Sequence, residues 1–554
     1  MSVWKWKNRK KSKQKTIEIP HKTLKKRDHE EVTGNLEETI TFIKDLLGEN
    51  EDFIIRRLKI FGKYPATVFY ISNLVDTKLI NDGLLKPLMS SPEWIQEEGL
   101  NHEELIKILS EEVLYYSEVK FEENLAKLVE VILSGETVVA MDGLRQALHI
   151  DTRHVEKRSI NAPETEQVII GPREGFIEQL GTNIGLLRYR LPTADFRVKT
   201  LKVGKMTKSK VAICYLEGTT NPMIVDEVEK RLSKIDIDAI LDIGYLEQFI
   251  EDNHYTPFPQ TYLTERPDTT VGNLIEGRVA ILVDGSPFAM LVPVVFNQFY
   301  QAMDDYSSRF VLSSFVRSVR VLALVFSLVF PSLYVSFISF NPELLPTEFA
   351  VAVAGGRAGV PYPAVVEVLI LEISMEILRE ATVRLPQQIG GALSIVGVLI
   401  IGEAAVSAGL ASPITVVVIA LTTIGSFATP VYSASFALRL LRFPLVILAG
   451  IFGLYGVMIG IIFVFNHMLA LKSFGVPYMS PISPGNAQGA KDVMIRAPLW
   501  WMPRRPAFLH PPNDDRLGSN DVLEQSKPYD ERWEEQADGE AKGNNSRPDN
   551  GNSN

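Results

Sequence analysis

Acidic side chains recur in the most apolar part of this 554-residue chain, and they are its main source of possible chemistry. Glu403 lies near the middle of residues 392–410, which carry no other charge. A carboxylate that faces lipid at the centre of a membrane helix costs roughly +2.5 to 3.5 kcal/mol, so we expect Glu403 to face protein or water. Ser394 and Ser407 add small polar positions to the same segment. These three residues are predicted to line a pore. The alternative is a structural acid at a break in the membrane segment, capped by its neighbours.

A second acidic segment, residues 361–385, precedes the first. Glu372, Glu376 and Glu380 recur every four residues and therefore share one face of a predicted helix. Glu367 lies on another face. Three acids at membrane depth would cost roughly 8 kcal/mol and outweigh about 4 to 5 kcal/mol of apolar gain. The helix is therefore predicted to lie at the membrane interface or to face a watery lumen, and not to span lipid alone.

Four long apolar segments predict a multi-pass, α-helical membrane domain over residues 301–480. The segments are residues 321–340, 392–410, 412–429 and 445–465. About 20 apolar residues suffice for a helix to cross a hydrocarbon core of about 30 Å, and in lipid the backbone must satisfy its own hydrogen bonds. The last segment has small residues at spacings that let helices pack closely, within a bundle or between subunits. These are Gly450, Gly453, Gly456 and Gly460.

The number of spans sets the side on which the C-terminus lies. Four spans place both tails in the cytoplasm but leave Arg439 and Arg442 outside. Five spans, counting residues 361–378, place both arginines inside and send the C-terminal tail out. We favour an even count with both tails inside, because the carboxylates of residues 361–385 cannot face lipid.

The sequence lacks the motifs of several enzyme classes. It contains no GxxxxGK[ST] phosphate loop, no glycine-rich dinucleotide motif after a strand and no HExxH zinc motif. The eight histidines show no metal-ligand spacing, and the single cysteine, Cys214, excludes an intramolecular disulfide. We therefore predict that the protein is not an enzyme and holds neither a metal nor a cofactor.

Polar tails are predicted at both ends. Residues 1–34 are basic and have no apolar stretch behind them, so they are not a signal peptide and are predicted to be a disordered cytoplasmic tail. A basic run can bind nucleic acid, but the net charge is −10 and no nucleic-acid-binding motif follows, so no such partner is predicted. Attraction to anionic lipid is an alternative to a free tail. Residues 481–554 are predicted to be a polar, largely disordered tail.

The region before the apolar segments repeats one plan. The sequence KVAICYLEGTTNPMIVDEVEKRL, residues 210–232, parallels ATVFYISNLVDTKLINDGLLKPL, residues 66–88. The sequence GRVAILVDG, residues 277–285, likewise parallels GETVVAMDG, residues 135–143. Both pairs are separated by about 140 to 145 residues, which is the mark of an internal duplication.

The duplication predicts two related α/β subdomains, residues 35–160 and residues 161–300. In each subdomain, a short apolar strand ends at an Asp-Gly pair. The aspartate is Asp142 in the first subdomain and Asp284 in the second. Asp-Gly after such a strand is typical of a turn. We therefore interpret both aspartates as structural turn residues rather than as paired catalytic carboxylates.

Long stretches of the chain resemble one protein family. TERPDTTVGNLIEGRVAILVDGSPFAMLVPVVF, residues 264–296, and EVLILEISMEILREATVRLPQQIGGALSIVGVLIIGEAAVSAGLASP, residues 367–413, are similar to the A subunits of GerA-type spore germinant receptors of endospore-forming bacteria. GPREGFIEQLGTNIGLLRYRL, residues 171–191, belongs to the same resemblance, which runs from about residue 35 to residue 480.

The resemblance implies a receptor in the spore inner membrane that assembles with a transporter-like B subunit, which binds the nutrient, and a lipoprotein C subunit. It also implies that A subunits self-associate around a pore as a nutrient-gated ion channel that triggers germination. The alternative function is a secondary transporter or permease of ions or small nutrients. Such transporters often show repeats in their membrane half, whereas the repeat here lies in the soluble half, which favours the receptor.

Overall fold

Two antiparallel sheets precede a bundle of helices in the computed structural model. It describes residues 20–90, 102–109, 113–114, 116, 119–154, 162–384, 402–485 and 489–516. The strands of the first sheet are β1 Phe53–Ile60, β2 Tyr64–Ile71, β3 Val119–Glu122, β4 Thr137–Met141 and β5 Ala147–Ile150. Those of the second are β6 Phe196–Val203, β7 Ser209–Leu216, β8 Tyr262–Thr264, β9 Val279–Val283 and β10 Ala289–Val292. The helices of this region are α1 Pro20–Lys26, α2 Leu36–Leu47, α3 Thr77–Leu79, α4 Lys86–Met89, α5 His102–Ile108, α6 Leu125–Leu133, α7 Leu180–Arg190, α8 Pro222–Ser233, α9 Ile243–Ile250 and α10 Pro267–Glu276.

Both sheets have the same strand order, β1-β2-β4-β5-β3 in the first and β6-β7-β9-β10-β8 in the second. Their central strands β4 and β9 are buried along their whole length. In β9, Ala280 and Leu282 pack into one core and Ile281 and Val283 into another, on the opposite face of the sheet. Burial on both faces explains why these strands are apolar at every position rather than at alternate ones.

The two Asp-Gly turns occupy equivalent places in the two subdomains. The backbone N–H of Asp142 donates to Pro65 at 3.0 Å, and its carboxylate accepts from the backbone N–H of Leu36, the first residue of α2, at 3.4 Å. Asp284 donates to Lys210 at 2.9 Å and accepts from Leu180, the first residue of α7, at 3.2 Å. Each aspartate thus joins the end of a central strand to the start of a helix.

The helical bundle follows the second sheet. Its helices are α11 Asp304–Ser307, α12 Phe310–Ser339, α13 Thr347–Arg357, α14 Ala364–Val383, α15 Pro413–Ser426 and α16 Tyr432–Ala470. Among the described residues, α12 and α16 are long and apolar enough to cross a membrane, and α15 is a shorter apolar helix. The span predicted at 321–340 lies in α12 up to Ser339, and the helix itself begins earlier, at Phe310. Of the segment predicted at 392–410, only residues 402–410 are described, and 402–407 are helical.

The span predicted over residues 445–465 is not one continuous helix, because α16 folds back on itself at Gly453. That glycine has φ 60° and ψ −143°, outside helical geometry. A Cβ on Gly460 would lie 2.4 Å from Leu445 Cδ2, and one on Gly456 would lie 2.1 Å from the carbonyl oxygen of Leu448. Residues 15 positions apart in a straight helix would be about 22 Å apart. Residues 432–452 and 454–470 are therefore two antiparallel arms of a helical hairpin.

Parts of both predicted tails are folded. Leu24 and Val32 are buried in the core of the first subdomain, so the predicted disordered tail at 1–34 is wrong for its last part. The predicted tail at 481–554 is likewise folded over residues 489–516. Arg505 there donates to the backbone oxygen of Ile275 at 2.7 Å, and Leu509 is buried. The amino-acid composition of the C-terminal segment did not predict this folding, because the contacts depend on a few apolar and arginine side chains among many prolines.

Candidate functional site

The helical bundle has two ends. We call the end that packs against the second subdomain the near end, and the opposite end the far end. At the near end, Leu324, Val431 and Leu471 share one core with Phe299 of the second subdomain. At the far end, a Cβ on Gly453 would lie 2.9 Å from the side chain of Phe340. Both arms of the α16 hairpin therefore have their outer ends at the near end.

The acidic helix α14 crosses the bundle beside the first arm of α16. Its start lies at the far end, where a Cβ on Gly450 would meet Val365 at 2.6 Å. Its later part points toward the near end, where Arg379 Nη2 lies 3.4 Å from Ser426 Oγ, at the end of α15. Helix α14 is therefore antiparallel to the first arm of α16.

Glu372 forms a buried ion pair with Arg442 of that arm. Arg442 Nη1 lies 3.0 and 2.7 Å from the two carboxylate oxygens, and both residues are buried. One turn further along, Glu376 Oε1 contacts Arg379 at 2.6 Å and Arg439 at 3.3 Å. The third acid of this face, Glu380, pairs with Arg384 at 2.6 Å and is exposed.

Glu367 is buried on another side of α14 and ties three segments together. One carboxylate oxygen accepts from the backbone N–H of Ser412, the N-cap of α15, at 2.5 Å. The other lies 3.2 Å from Nε of Arg357, near the end of α13. A carboxylate at this position interacts favourably with the unpaired N–H groups and the dipole at the start of α15.

The acidic helix was predicted to lie at the interface or to face a lumen. That prediction did not take its arginine partners into account. Within the bundle, Glu367 is neutralised by Arg357, Glu376 by Arg439 and Glu372 by Arg442. These acids therefore need neither water nor an exposed position. A signal for the pairing was present in the sequence. Two arginines three residues apart interrupt the apolar run of α16, which matches the spacing of two acids four residues apart on a neighbouring helix.

The predicted pore residues behave differently from these paired acids. Glu403 and Ser407 are both exposed on the described part of their segment, and Ser394 lies outside the described residues. A Cβ on Gly402 would lie 3.4 Å from Val416, in the first turn of α15. Since α15 starts at the far end, Glu403 lies nearer that end than the middle of the bundle.

The four predicted packing glycines all face segments of the same chain. Gly450 faces Val365, and Gly453 faces Phe340. Gly456 and Gly460 lie against the opposite arm of the hairpin. Within this chain they therefore serve the fold of the bundle.

A second charged cluster joins α12 to α11 and to the C-terminal segment at the near end. Arg317, in α12, contacts Asp305 at 3.0 Å and Asp492 of the C-terminal segment at 2.7 Å. Arg320 reaches Asp305 at 3.1 Å. Burial raises the pKa of Asp492, while Arg317 opposes that rise. Sequence analysis missed this cluster because Asp492 lies in a segment that its composition marked as disordered.

Known proteins are similar to this chain over most of its length. Residues 41–508 match the family described as Bacillus/Clostridium GerA spore germination protein. The chain is 42% identical over 491 residues to spore germination protein KA of Bacillus subtilis strain 168, which covers 88% of this chain and 89% of that protein. It is 40% identical over 486 residues to the uncharacterized membrane protein YfkQ of the same strain, with 88% of this chain and 93% of that protein covered.

A solved structure is also similar. The N-terminal domain of the A subunit of the Bacillus megaterium spore germinant receptor GerK3 is 35% identical, with a TM-score of 0.38, and the match covers 48% of this chain and 98% of that one. With sequence matches that extend across most of its length, the chain belongs to the GerA family of spore germination proteins.

Proposed function

We propose that this protein is the A subunit of a nutrient-sensing germinant receptor and forms, with further copies of itself, a nutrient-gated cation channel that triggers germination. A transporter-like B subunit and a lipoprotein C subunit complete the receptor. The protein acts by gating an ion path and performs no catalysis. It resides in the spore inner membrane, with its two sheet subdomains in the cytoplasm.

The course of the helices supports a multi-pass arrangement. Helix α12 leaves the second subdomain at the near end, and the second arm of α16 returns to it. An even number of crossings follows if the bundle spans the membrane, and residues 471–516 then lie on the cytoplasmic side with the sheets. The hairpin at Gly453 provides two of these crossings, since arms of about 21 and 17 residues approach the thickness of a hydrocarbon core.

The channel proposal rests mainly on Glu403, whose carboxylate has no ion-pair partner among the described residues. Glu367, Glu372 and Glu376 each have an arginine partner inside the bundle. Among the residues that the structure describes, no basic side chain forms an ion pair with Glu403, and residues 385–401 contain no basic residue. If Glu403, toward the far end of the bundle, lies within the hydrocarbon, an unpaired carboxylate there is costly unless water and cations reach it. Copies of Glu403 around an axis would form a negative ring that attracts cations and repels anions.

Potassium release from spores tests this proposal. Glu403→Gln removes the charge with little change in size, and we expect slower nutrient-triggered potassium release at normal receptor abundance. Glu380→Gln is the matched control, because Glu380 is exposed and pairs with Arg384 at the bundle surface. Release in Glu403→Gln spores that matches the wild type would remove Glu403 from the ion path.

A further inference from the structure

The loop that follows α9 contacts the last turn of α16. Thr256 Oγ1 lies 2.8 Å from Nε2 of His467, and the rings of Phe258 and His467 lie 6.1 Å apart. Helix α16 ends at Ala470. The loop is therefore fixed within about one helical turn, about 5.4 Å, of the outer end of the second arm of the α16 hairpin.

Tyr255 projects from this loop into open space. Its side chain is 98% exposed, while its backbone N–H donates to Asn253 Oδ1 at 3.0 Å. The next residue, Thr256, is held by His467, so the loop has a defined conformation on both sides of the tyrosine. A large aromatic side chain held away from the protein on a fixed loop is suited to a contact outside the chain.

The exposed residues near the loop indicate which kind of partner Tyr255 contacts. The last turns of α16 expose Phe463, Phe465 and Leu469, and the loop that carries Tyr255 is held against His467 in the same turns. His254, which precedes Tyr255, and Lys472, two residues beyond the end of α16, are exposed, and the exposed Asp252 is paired with Arg231. A tyrosine close to the end of an apolar helix suits the boundary between hydrocarbon and lipid headgroups, because the ring is apolar and the hydroxyl polar. Nearby basic side chains add attraction to anionic headgroups.

We propose that residues 253–257 form an interfacial anchor, in which Tyr255 inserts into the headgroup zone of the bilayer around the helical bundle. The anchor fixes the second subdomain against the membrane surface at the base of α16. This inference rests on the multi-pass placement proposed above.

Fluorescence quenching in vesicles tests the anchor with the full-length chain. The only native cysteine, Cys214, is buried, so a bimane label reports an introduced cysteine. Tyr255→Cys labelled in this way is reconstituted in phosphatidylglycerol and phosphatidylethanolamine vesicles that contain headgroup-nitroxide lipid. We expect at least about twofold quenching at position 255, as for a side chain at headgroup depth.

Two further positions separate the possible outcomes. Phe463→Cys reports on α16 itself, because Phe463 is 69% exposed, and it should be quenched by nitroxide placed on the lipid chains. Met89→Cys, at a position 53% exposed on the first subdomain, should not be quenched. Quenching at 463 without quenching at 255 would overturn the anchor while leaving the membrane placement intact, and would indicate that water or a partner subunit meets Tyr255. An absence of quenching at 463 would overturn the placement and the anchor together.

Discussion

Glu372 and Arg442, 70 residues apart in the chain, meet inside the helical bundle with Arg442 Nη1 at 3.0 and 2.7 Å from the two carboxylate oxygens. The pair joins α14 to the first arm of α16, and with Glu376 and Arg439 it forms a charged ladder between two largely apolar helices. Mutual neutralisation explains how such an acidic helix lies within the bundle.

Removal of one member of this pair should be far more damaging than removal of both. Arg442→Met leaves Glu372 buried and unpaired, at a cost of about 3 to 5 kcal/mol, so we expect little folded protein in the membrane. The double variant Glu372→Gln with Arg442→Met should recover most of the wild-type abundance, measured by immunoblot of spore membranes. Equal losses in the single and double variants would show that the charges are not coupled.

Gly453 should tolerate no side chain at the turn of the α16 hairpin. Its φ of 60° and ψ of −143° lie in a region that is essentially restricted to glycine, and a Cβ would lie 2.9 Å from Phe340. We expect Gly453→Ala to cost about 1 to 3 kcal/mol and to lower the thermal unfolding midpoint of the purified protein. Gly355→Ala in α13 is the control, because a Cβ there meets nothing within 4 Å. The same midpoint shift in both variants would contradict a hairpin turn at Gly453.

Stability should fall as the pH rises from about 4.5 to about 7, in part because of Glu166. Burial raises the pKa of Glu166 to about 7, although a hydrogen bond from Thr264 and the charge of Arg266 oppose the rise. The folded state therefore binds a proton that the unfolded state releases near its ordinary pKa of 4.5. Between these values stability decreases with pH, by up to about 3 kcal/mol for a shift of this size.

Glu166→Gln should flatten this dependence when thermal midpoints are measured from pH 5 to pH 8. Some slope should remain, because burial also raises the pKa of Glu251 to about 7 and raises that of Asp195. A variant with the full wild-type slope would show that Glu166 does not titrate in this range.

Local patterns in the sequence predict much of the sheet-rich half of the fold. Continuous apolar strands that end at Asp142 and Asp284 are short-range features, and the similar spacing of their copies predicts a duplicated subdomain before any contact is known. The spacing of these strand copies does not place helix α7, whose role is shown by the bond between Leu180 and Asp284. It is the counterpart of α2, the first helix of the first subdomain.

The bundle was less predictable from the sequence, because one of its reversals, at Gly453, lies inside an apolar run without the polar residues that usually mark a turn. The run around Gly453 stays apolar through its reversal, so hydropathy predicts one span where the structure has two arms. Ion pairs such as Glu372 with Arg442 depend on which helices become neighbours, and the spacing of charges along one helix does not determine that.

Ion conductance of the reconstituted receptor, with its partner subunits in planar bilayers, tests the channel most directly. We predict a cation-selective conductance that appears when nutrient is added, with weaker cation selectivity in Glu403→Gln and unchanged selectivity in Glu380→Gln. A receptor that binds nutrient but conducts no ions, or a Glu403→Gln receptor with wild-type selectivity, would contradict the account.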